Sequence, residues 1–160
     1  MSDVCGRAEQ FEILSEARAA RWAGFARWET TYYPKFLGLV VEEVRLDYAR
    51  MRLPYRPEFL QPAGVWHGGA IASLVDTVVV PAVGSGYDEP RPMFTIDLQL
   101  RYLAPIPPDT DAVAEGWVTL RGRSTLFCDA EVRIGGLDGP VAATATLVYK
   151  VSSKAATPTV

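Results

Sequence analysis

A chain of 160 residues with 49% hydrophobic and 22% charged residues has the composition of one globular domain, and not of a membrane or disordered protein. Its net charge of −3, without any Lys/Arg cluster, argues against nucleic-acid binding. Cys5 and Cys128 lack CxxC spacing and His67 is the only histidine, so we expect no metal site. The N-terminus lacks the hydrophobic core of a signal peptide, and we therefore expect a cytoplasmic protein.

The N-terminal segment carries an apolar residue at every third or fourth position from Ala8 to about Tyr33. This spacing predicts an amphipathic helix that ends before Pro34. The repeating residues are Phe11, Leu14, Ala17, Trp22, Phe25, Trp28 and Tyr32. We expect residues 1–35 to form a helical extension that packs its apolar face on a sheet or on a neighbouring subunit, with the lining of a ligand pocket as the alternative.

Two short strands and an apolar helix follow this extension. Apolar and charged residues alternate from Leu39 to Tyr55, which predicts a pair of half-buried strands turning near Asp47 and Tyr48. The segment from Ala70 to Val83 is apolar except for Asp76. With about 14 residues it is too short to cross a membrane and fits a helix buried inside a domain.

Four more alternating segments predict strands in the rest of the chain. They run from Phe94 to Ala104, Ala112 to Leu120, Leu126 to Ile134 and Val141 to Val151. One apolar helix and about six antiparallel strands, each with one apolar face, predict an α+β domain whose sheet curls around the helix. Residues 152–160 are polar and contain a proline, so we expect a disordered tail.

Asp76 is the unusual residue of the predicted helix. Burial of an unpaired carboxylate is costly, and a carboxylate kept in apolar surroundings is a candidate general base or nucleophile. The alternative is a structural acid that pairs with a backbone amide or an arginine. The sequence alone favours neither interpretation.

Gly68 and Gly69 precede the helix, where backbone amides lack intrahelical partners and the helix dipole is positive. The Gly68 N–H is therefore suited to polarise a carbonyl oxygen, as an oxyanion donor does, with simple helix entry as the alternative. Gly68 and Asp76 are eight residues apart, which is about 12 Å along a helix axis. Both can act on one carbonyl only in a site shared between two copies of the chain related by a two-fold axis.

The sequence VWHGGAIASLVDT resembles the signature of the hotdog-fold acyl-CoA thioesterases of the phenylacetyl-CoA (PaaI) and 4-hydroxybenzoyl-CoA thioesterase type. In that family an Asp or Glu stands nine residues after the His of His-Gly-Gly, as Asp76 follows His67. An Asn or Gln six residues before the His corresponds to Gln61, and a Ser or Thr that opens the next strand corresponds to Thr95 in FTIDLQLRYLAPI. The resemblance implies a hotdog domain over residues 36–151, an antiparallel sheet of about six strands around one long central helix.

The resemblance also implies an activity and its residues. The protein would hydrolyse the thioester of an aryl- or medium-chain acyl-CoA in a homodimer or homotetramer, without a cofactor, since CoA is part of the substrate. Asp76 would be the nucleophile or general base, and the Gly68 N–H of the partner chain the oxyanion donor. Gln61 would orient the acyl group or the leaving thiol, and Thr95 would hold the attacking water. The implied substrate-binding residues are His67, Gly69, Trp66, Arg123 and Ser124, with His67 mainly supporting the loop geometry.

Two other functions remain as alternatives. An acyl-CoA hydratase or dehydratase of this fold pairs a catalytic His with an acid about five residues before it. Pro62 stands at that position and the chain has no second His, which disfavours this function. A non-catalytic acyl-CoA or aromatic-ligand binder is the stronger alternative, although such a protein would gain stability from an apolar residue in place of Asp76.

Overall fold

The computed structural model describes residues 6–155. Its helices are α1 (Glu16–Ala23), α2 (Tyr33–Leu37) and α3 (Gly68–Gly84). Its strands are β1 (Val40–Arg45), β2 (Tyr48–Leu53), β3 (Met93–Tyr102), β4 (Ala112–Arg121), β5 (Thr125–Ile134) and β6 (Val141–Val151). Short 3₁₀ turns lie at Arg7–Gln10 and Pro57–Phe59. The predicted tail and the first residues of the predicted extension lie partly outside the described range.

The six strands form one antiparallel sheet in the order β1-β2-β4-β5-β6-β3. The sheet packs around α3, which contacts every strand and lies mainly against β2, β4 and β5. At Gly116 of β4 the strand passes so close to the helix that an added Cβ would lie 2.8 Å from the Val79 side chain. This architecture confirms the predicted α+β hotdog arrangement of about six strands around one long helix.

The central helix is held in place by packing on nearly all sides. Its β-branched last turns, around Pro81, have poor helix propensity, yet Val78, Val79 and Val83 are fully buried. Burial of each such side chain stabilises the fold by about 1.5–3 kcal/mol. Within residues 6–155, no helix is both long and apolar enough to cross a membrane.

The N-terminal extension contains a helix, as predicted, but the prediction of one continuous helix from Ala8 to Tyr33 is wrong. Only Glu16–Ala23 is α-helical before Tyr33. Gly24 ends α1, and Ala26 has a left-handed backbone with φ of 63°, which interrupts the helical path. Pro34 does not follow a helix but lies in the first turn of α2, where the missing N–H has no cost. The aromatic residues thus follow a bent path that their three-to-four spacing did not indicate.

Strand β3 forms one edge of the sheet and is unusually exposed for an apolar strand. Phe94, Ile96 and Leu98 are 63%, 60% and 37% exposed, respectively. An edge strand offers unpaired N–H and C=O groups on its outer side, and apolar residues there favour pairing with another strand. The opposite edge, β1, is contacted by α1.

Candidate active site

The N-terminus of α3 presents one backbone amide without a partner. His67 caps the helix, because its Nδ1 accepts a hydrogen bond of 2.8 Å from the Gly69 N–H. The Ala70 N–H donates to the His67 carbonyl oxygen. The Gly68 N–H is the first amide of the helix and no hydrogen bond among residues 6–155 engages it, so it is available to an oxygen atom at the positive helix end.

Gly68 lines a cavity of about 440 Å³, which we call the Gly68 cavity. Gln61, Trp66, Gly68, Tyr102 and Ile106 are among its lining residues. The Tyr102 hydroxyl donates to the Gly68 carbonyl oxygen at 2.7 Å, and partial burial raises the pKa of Tyr102 above its ordinary value. A Cβ at position 68 would lie 2.8 Å from the Tyr102 hydroxyl, so glycine at this position lets the tyrosine approach the helix start.

Asp76 lies half-buried in the middle of α3 and is held by two hydroxyl groups. Thr95 of β3 donates to Asp76 Oδ1 at 2.6 Å, and Tyr149 of β6 donates to the same oxygen at 2.9 Å. Within the described part of the chain, no arginine or backbone amide pairs with this carboxylate, in contrast to the structural-acid alternative. The second carboxylate oxygen, Oδ2, takes part in no hydrogen bond there and is available for chemistry.

Tyr149 is buried and stays a proton donor toward Asp76. Burial is the main cause that raises the pKa of Tyr149 above its ordinary value, and the negative charge of the adjacent Asp76 carboxylate raises that pKa further. The single Tyr149 proton is shared with the Asp76 backbone oxygen, which accepts from the hydroxyl at 2.6 Å, and this ties the side chain and the helix backbone to β6. The carboxylate is therefore fixed in one orientation by the sheet.

The two halves of the site are separated within one chain. Gly68 and Asp76 belong to one uninterrupted helix, eight residues and about 12 Å apart along its axis. Gln61 and Trp66 lie with Gly68, whereas Thr95 lies with Asp76. The Asp76 half sits at the edge of the sheet, because Thr95 belongs to the exposed strand β3.

Arg123 and Ser124 lie in the turn between β4 and β5, and neither is a lining residue of the Gly68 cavity. Arg123 is exposed, and Ser124 Oγ accepts a hydrogen bond of 2.9 Å from Lys150 Nζ. The turn also meets the end of β6, since the Val151 N–H donates to the Ser124 carbonyl oxygen. Arg123 and Lys150 thus place two cations at this end of the sheet.

Cys128 takes no part in either half of the site. It is buried in β5, and burial raises the pKa of its thiol to about 12. A thiol with such a pKa carries almost no thiolate near neutral pH and is a poor nucleophile. Cys128 is a packing residue of the core.

Three residues near these groups were missed by the sequence interpretation: Tyr102, Tyr149 and Lys150. Tyr149 alternates with the inward-facing Leu147 and Val151, so the period of two marks it as a polar tip on the helix side of β6. Tyr102 is the last residue of β3 and continues the alternation of that strand in the same way. The pattern could have located both side chains, but not their partners on α3.

The model of the family described as thioesterase superfamily matches residues 63–140. A predicted esterase of Halobacterium salinarum is 37% identical over 75 residues, which are 44% of this chain and 50% of that protein. The chain thus matches about half the length of this curated relative. The family-model match includes the helix start, Asp76 and Thr95. Both sequence matches support a thioester hydrolase.

Solved structures share the fold over most of the chain. The PaaI protein of E. coli, from the phenylacetic acid degradation operon, has a TM-score of 0.75 at 20% identity, covering 86% of this chain and 96% of that one. A hypothetical thioesterase of Streptococcus pneumoniae, solved with coenzyme A, has a TM-score of 0.66 at 20% identity, covering 74% and 88%. The family match relates residues 63–140 to the thioesterase superfamily, and the solved structures show that the chain has a PaaI-like hotdog fold.

Proposed function

We propose that this protein is an acyl-CoA thioesterase that hydrolyses the thioester of an aryl- or medium-chain acyl-CoA to the free acid and CoA. The match of residues 63–140 to the thioesterase superfamily model supports the reaction type. The relative from Streptococcus pneumoniae, solved with coenzyme A, supports CoA as the thiol part of the substrate. The observation that carries the proposal is the orientation of Asp76 by two hydroxyl donors, with Oδ2 left available.

Asp76 acts as the general base or the nucleophile of the reaction. As a base, it takes a proton from a water that Thr95 helps to hold, and the water oxygen attacks the thioester carbon. As a nucleophile, it forms an acyl-enzyme anhydride that water then hydrolyses. In both routes the C–S bond breaks, and the CoA thiolate leaves and is protonated. The Gly68 N–H stabilises the oxyanion of the tetrahedral intermediate.

The active site is shared between two chains. The separation of about 12 Å between Gly68 and Asp76 exceeds the size of one thioester group, so the two residues serve one carbonyl only across a subunit interface. The exposed apolar edge of β3, with Phe94 and Ile96, is the surface suited to that interface. A two-fold axis beside β3 brings Asp76 of one protomer toward the helix start of its partner and creates two equal sites.

The remaining residues bind the substrate. Gln61 and Trp66, which line the Gly68 cavity, orient the thioester and the leaving thiol. His67 and Gly69 keep the loop in the conformation that exposes the Gly68 amide. At the β4–β5 turn the nucleotide phosphates of CoA meet Arg123, Ser124 and Lys150, because cationic and hydroxyl groups there match phosphate oxygens.

Thiol release from acetyl-, octanoyl-, palmitoyl- and phenylacetyl-CoA tests this function in the wild type and in Asp76→Asn. We expect the wild type to hydrolyse at least one ester and Asp76→Asn to lose about 10²–10⁴-fold in kcat, the typical contribution of a general base. Asp138→Asn, which removes a carboxylate from the exposed β5–β6 turn, is the matched control and should keep full activity. Hydrolysis by Asp76→Asn near the wild-type rate would refute the assignment. Tight binding of all esters without release would make the protein an acyl-CoA binder.

A further inference from the structure

A second cavity, of about 270 Å³, lies between the N-terminal extension and the C-terminal half of α3. Its walls include Trp22, Phe25 and Trp28 on one side and Val80, Gly84 and Met93 on the other. The three aromatic side chains form a continuous row, with ring centroids 6.0 Å apart for Trp22 and Phe25 and 4.9 Å apart for Phe25 and Trp28. We call this space the aromatic cavity.

The aromatic cavity lies on the side of α3 that carries Asp76. Val80 and Gly84 follow Asp76 on the same side of α3, about 6 and 12 Å further along the helix axis. On β3, Met93 and Thr95 point to the same side because they are two residues apart in a regular stretch of the ladder. Since Thr95 contacts Asp76, the cavity begins about one helical turn from the carboxylate.

The aromatic wall is fixed in position by the fold. The Trp22 ring lies directly on Gly84, where an added Cβ would overlap the indole. Arg18 of α1 pairs with Asp88, and Arg21 donates to backbone oxygens of the same loop after α3. Because these contacts hold the aromatic wall against α3 and the loop after it, the cavity has a defined shape. A defined shape is required for selection between acyl groups.

The lining and size of the cavity define the group that fits. The guanidinium groups at its rim already have partners, since Arg21 donates to the Tyr87 backbone oxygen and Arg91 to those of Ser152 and Ser153. The interior is therefore suited to an uncharged group. A volume of about 270 Å³ is small for a ligand pocket and holds one ring with a short linker rather than a whole acyl-CoA or a long chain. Surrounding rings favour an aromatic ligand, because edge-to-face and offset pairs add attraction to burial.

We propose that the aromatic cavity receives the acyl group of the substrate, and that Trp22 and Trp28 select the aryl and arylalkyl esters among the acyl-CoAs of the proposed function. The inference rests on the proposed thioesterase function, which places the thioester beside Asp76. The two tryptophans lie outside residues 63–140, the part that matches the family model. Substrate choice is thus carried by the N-terminal extension, while the chemistry is carried by the hotdog domain.

Removal of the aromatic wall tests the proposal. We expect Trp22→Ala and Trp28→Ala to lower kcat/KM for phenylacetyl-CoA by about tenfold or more and to leave acetyl-CoA within about twofold. Ile13→Ala is the matched control, since Ile13 is an apolar residue of the same extension that is 76% exposed and lines no wall of the cavity. Equal losses on the two esters, or no loss on phenylacetyl-CoA, would overturn the proposal.

A variant that fills the cavity gives an independent test. Val80→Phe adds a ring inside the aromatic cavity, and we expect it to lose phenylacetyl-CoA hydrolysis and to keep acetyl-CoA hydrolysis. An aryl ester that Val80→Phe hydrolyses as well as the wild type does would contradict the inference. Thermal unfolding of each variant shows whether the fold is retained.

Binding separates this inference from the thioesterase function on which it rests. S-phenacyl-CoA is a thioether that cannot be hydrolysed, and calorimetry compares its affinity with that of CoA alone. We expect the wild type to prefer S-phenacyl-CoA by about tenfold and Trp22→Ala to lose that preference. Tighter binding of S-phenacyl-CoA than of CoA, without hydrolysis of any ester, would refute the thioesterase function and support a binding site for aryl groups. Hydrolysis without the preference would refute the aryl site and retain the thioesterase.

Discussion

The Tyr149 hydroxyl joins β6 to Asp76 by two contacts, 2.9 Å to the carboxylate oxygen Oδ1 and 2.6 Å to the backbone oxygen. Burial, and to a smaller extent the Asp76 carboxylate, raise the pKa of Tyr149. The phenol therefore keeps its proton and remains a hydrogen-bond donor. With Thr95 on the same Oδ1, the Tyr149 contact fixes the rotamer of the carboxylate, and Oδ2 has no hydrogen bond among residues 6–155. Tyr149 is therefore a positioning residue for Asp76.

We predict that Tyr149→Phe lowers kcat about ten- to hundredfold with little change in KM, since a hydrogen bond to a charged group contributes about 1.5–3 kcal/mol. The steady-state kinetics of thioester hydrolysis measure this split. Tyr48→Phe is the matched control, because Tyr48 is also buried and donates to a carboxylate, Glu115, at 2.7 Å, away from Asp76. Equal changes in kcat for the two variants would show that lost stability, and not lost positioning, is responsible.

Much of the fold could be predicted because local patterns determine it. Alternation located the last strand at Val141–Val151 as observed, and the apolar run from Ala70 predicted the helix that extends from Gly68 to Gly84. The extension could not be predicted from spacing alone. Its aromatic residues recur with a helical period, but the chain bends at Gly24 and at Ala26, which has a left-handed backbone. The rings therefore do not form one face of a continuous helix, and they lie next to α3 instead.

Only the part of the candidate site that lies within one short sequence motif could be predicted. Asp76 and Gly68 belong to one short segment, so their spacing in a helix follows from the sequence. The donor Tyr149 is 73 residues from Asp76 in the sequence, and the sheet order brings them together. No local pattern encodes such a contact, and the same is true of the Tyr102 contact with Gly68.

The buried thiol of Cys128 predicts a loss of stability at alkaline pH. Its pKa rises from about 9 to about 12 on folding because it is buried, so above pH 9 the unfolded chain loses a proton that the folded chain keeps. The unfolded state then binds fewer protons, and the free energy of unfolding falls as pH rises, by about 1.4 kcal/mol per pH unit for this group. The contribution of the protonated Cys128 thiol to the free energy of unfolding is fully present below pH 9 and is lost as the pH rises toward 12.

Urea unfolding at fixed protein concentration between pH 8 and 10 measures this slope. We expect Cys128→Ala to have a smaller slope than the wild type above pH 9. Tyr149→Phe is a useful comparison, because the raised pKa of a tyrosine affects the profile only above pH 10. An unchanged slope in Cys128→Ala between pH 9 and 10 would contradict the assignment of the alkaline loss to this thiol.

The oxyanion role of Gly68 is testable because its position tolerates proline. Gly68 is the first residue of α3, where proline is favoured, and His67 before it has φ of −68° and ψ of 133°, as a residue before proline requires. Gly68→Pro removes the N–H, and we predict that it lowers kcat about 10²–10³-fold, the usual effect of losing one oxyanion donor. Thioester hydrolysis measures the loss, and circular dichroism shows whether the helix remains.

Gly68→Ala is the control for this variant. Both substitutions introduce a Cβ that would lie 2.8 Å from the Tyr102 hydroxyl, so both displace that ring, which is 53% exposed and can move outward. Only proline also removes the N–H. We therefore expect Gly68→Ala to keep much more activity than Gly68→Pro, and equal activities of the two variants would refute an oxyanion role for this amide.

A shared active site predicts complementation between two inactive variants. Asp76→Asn keeps the Gly68 amide, and Gly68→Pro keeps the carboxylate, so a mixed dimer contains one intact site formed by Gly68 of the first chain and Asp76 of the second. Random association after co-expression gives mixed dimers in half of the molecules, each with one of two sites working. We expect about one quarter of the wild-type activity per chain, measured by thiol release. If both residues served a site within one chain, the mixture would be as inactive as its components.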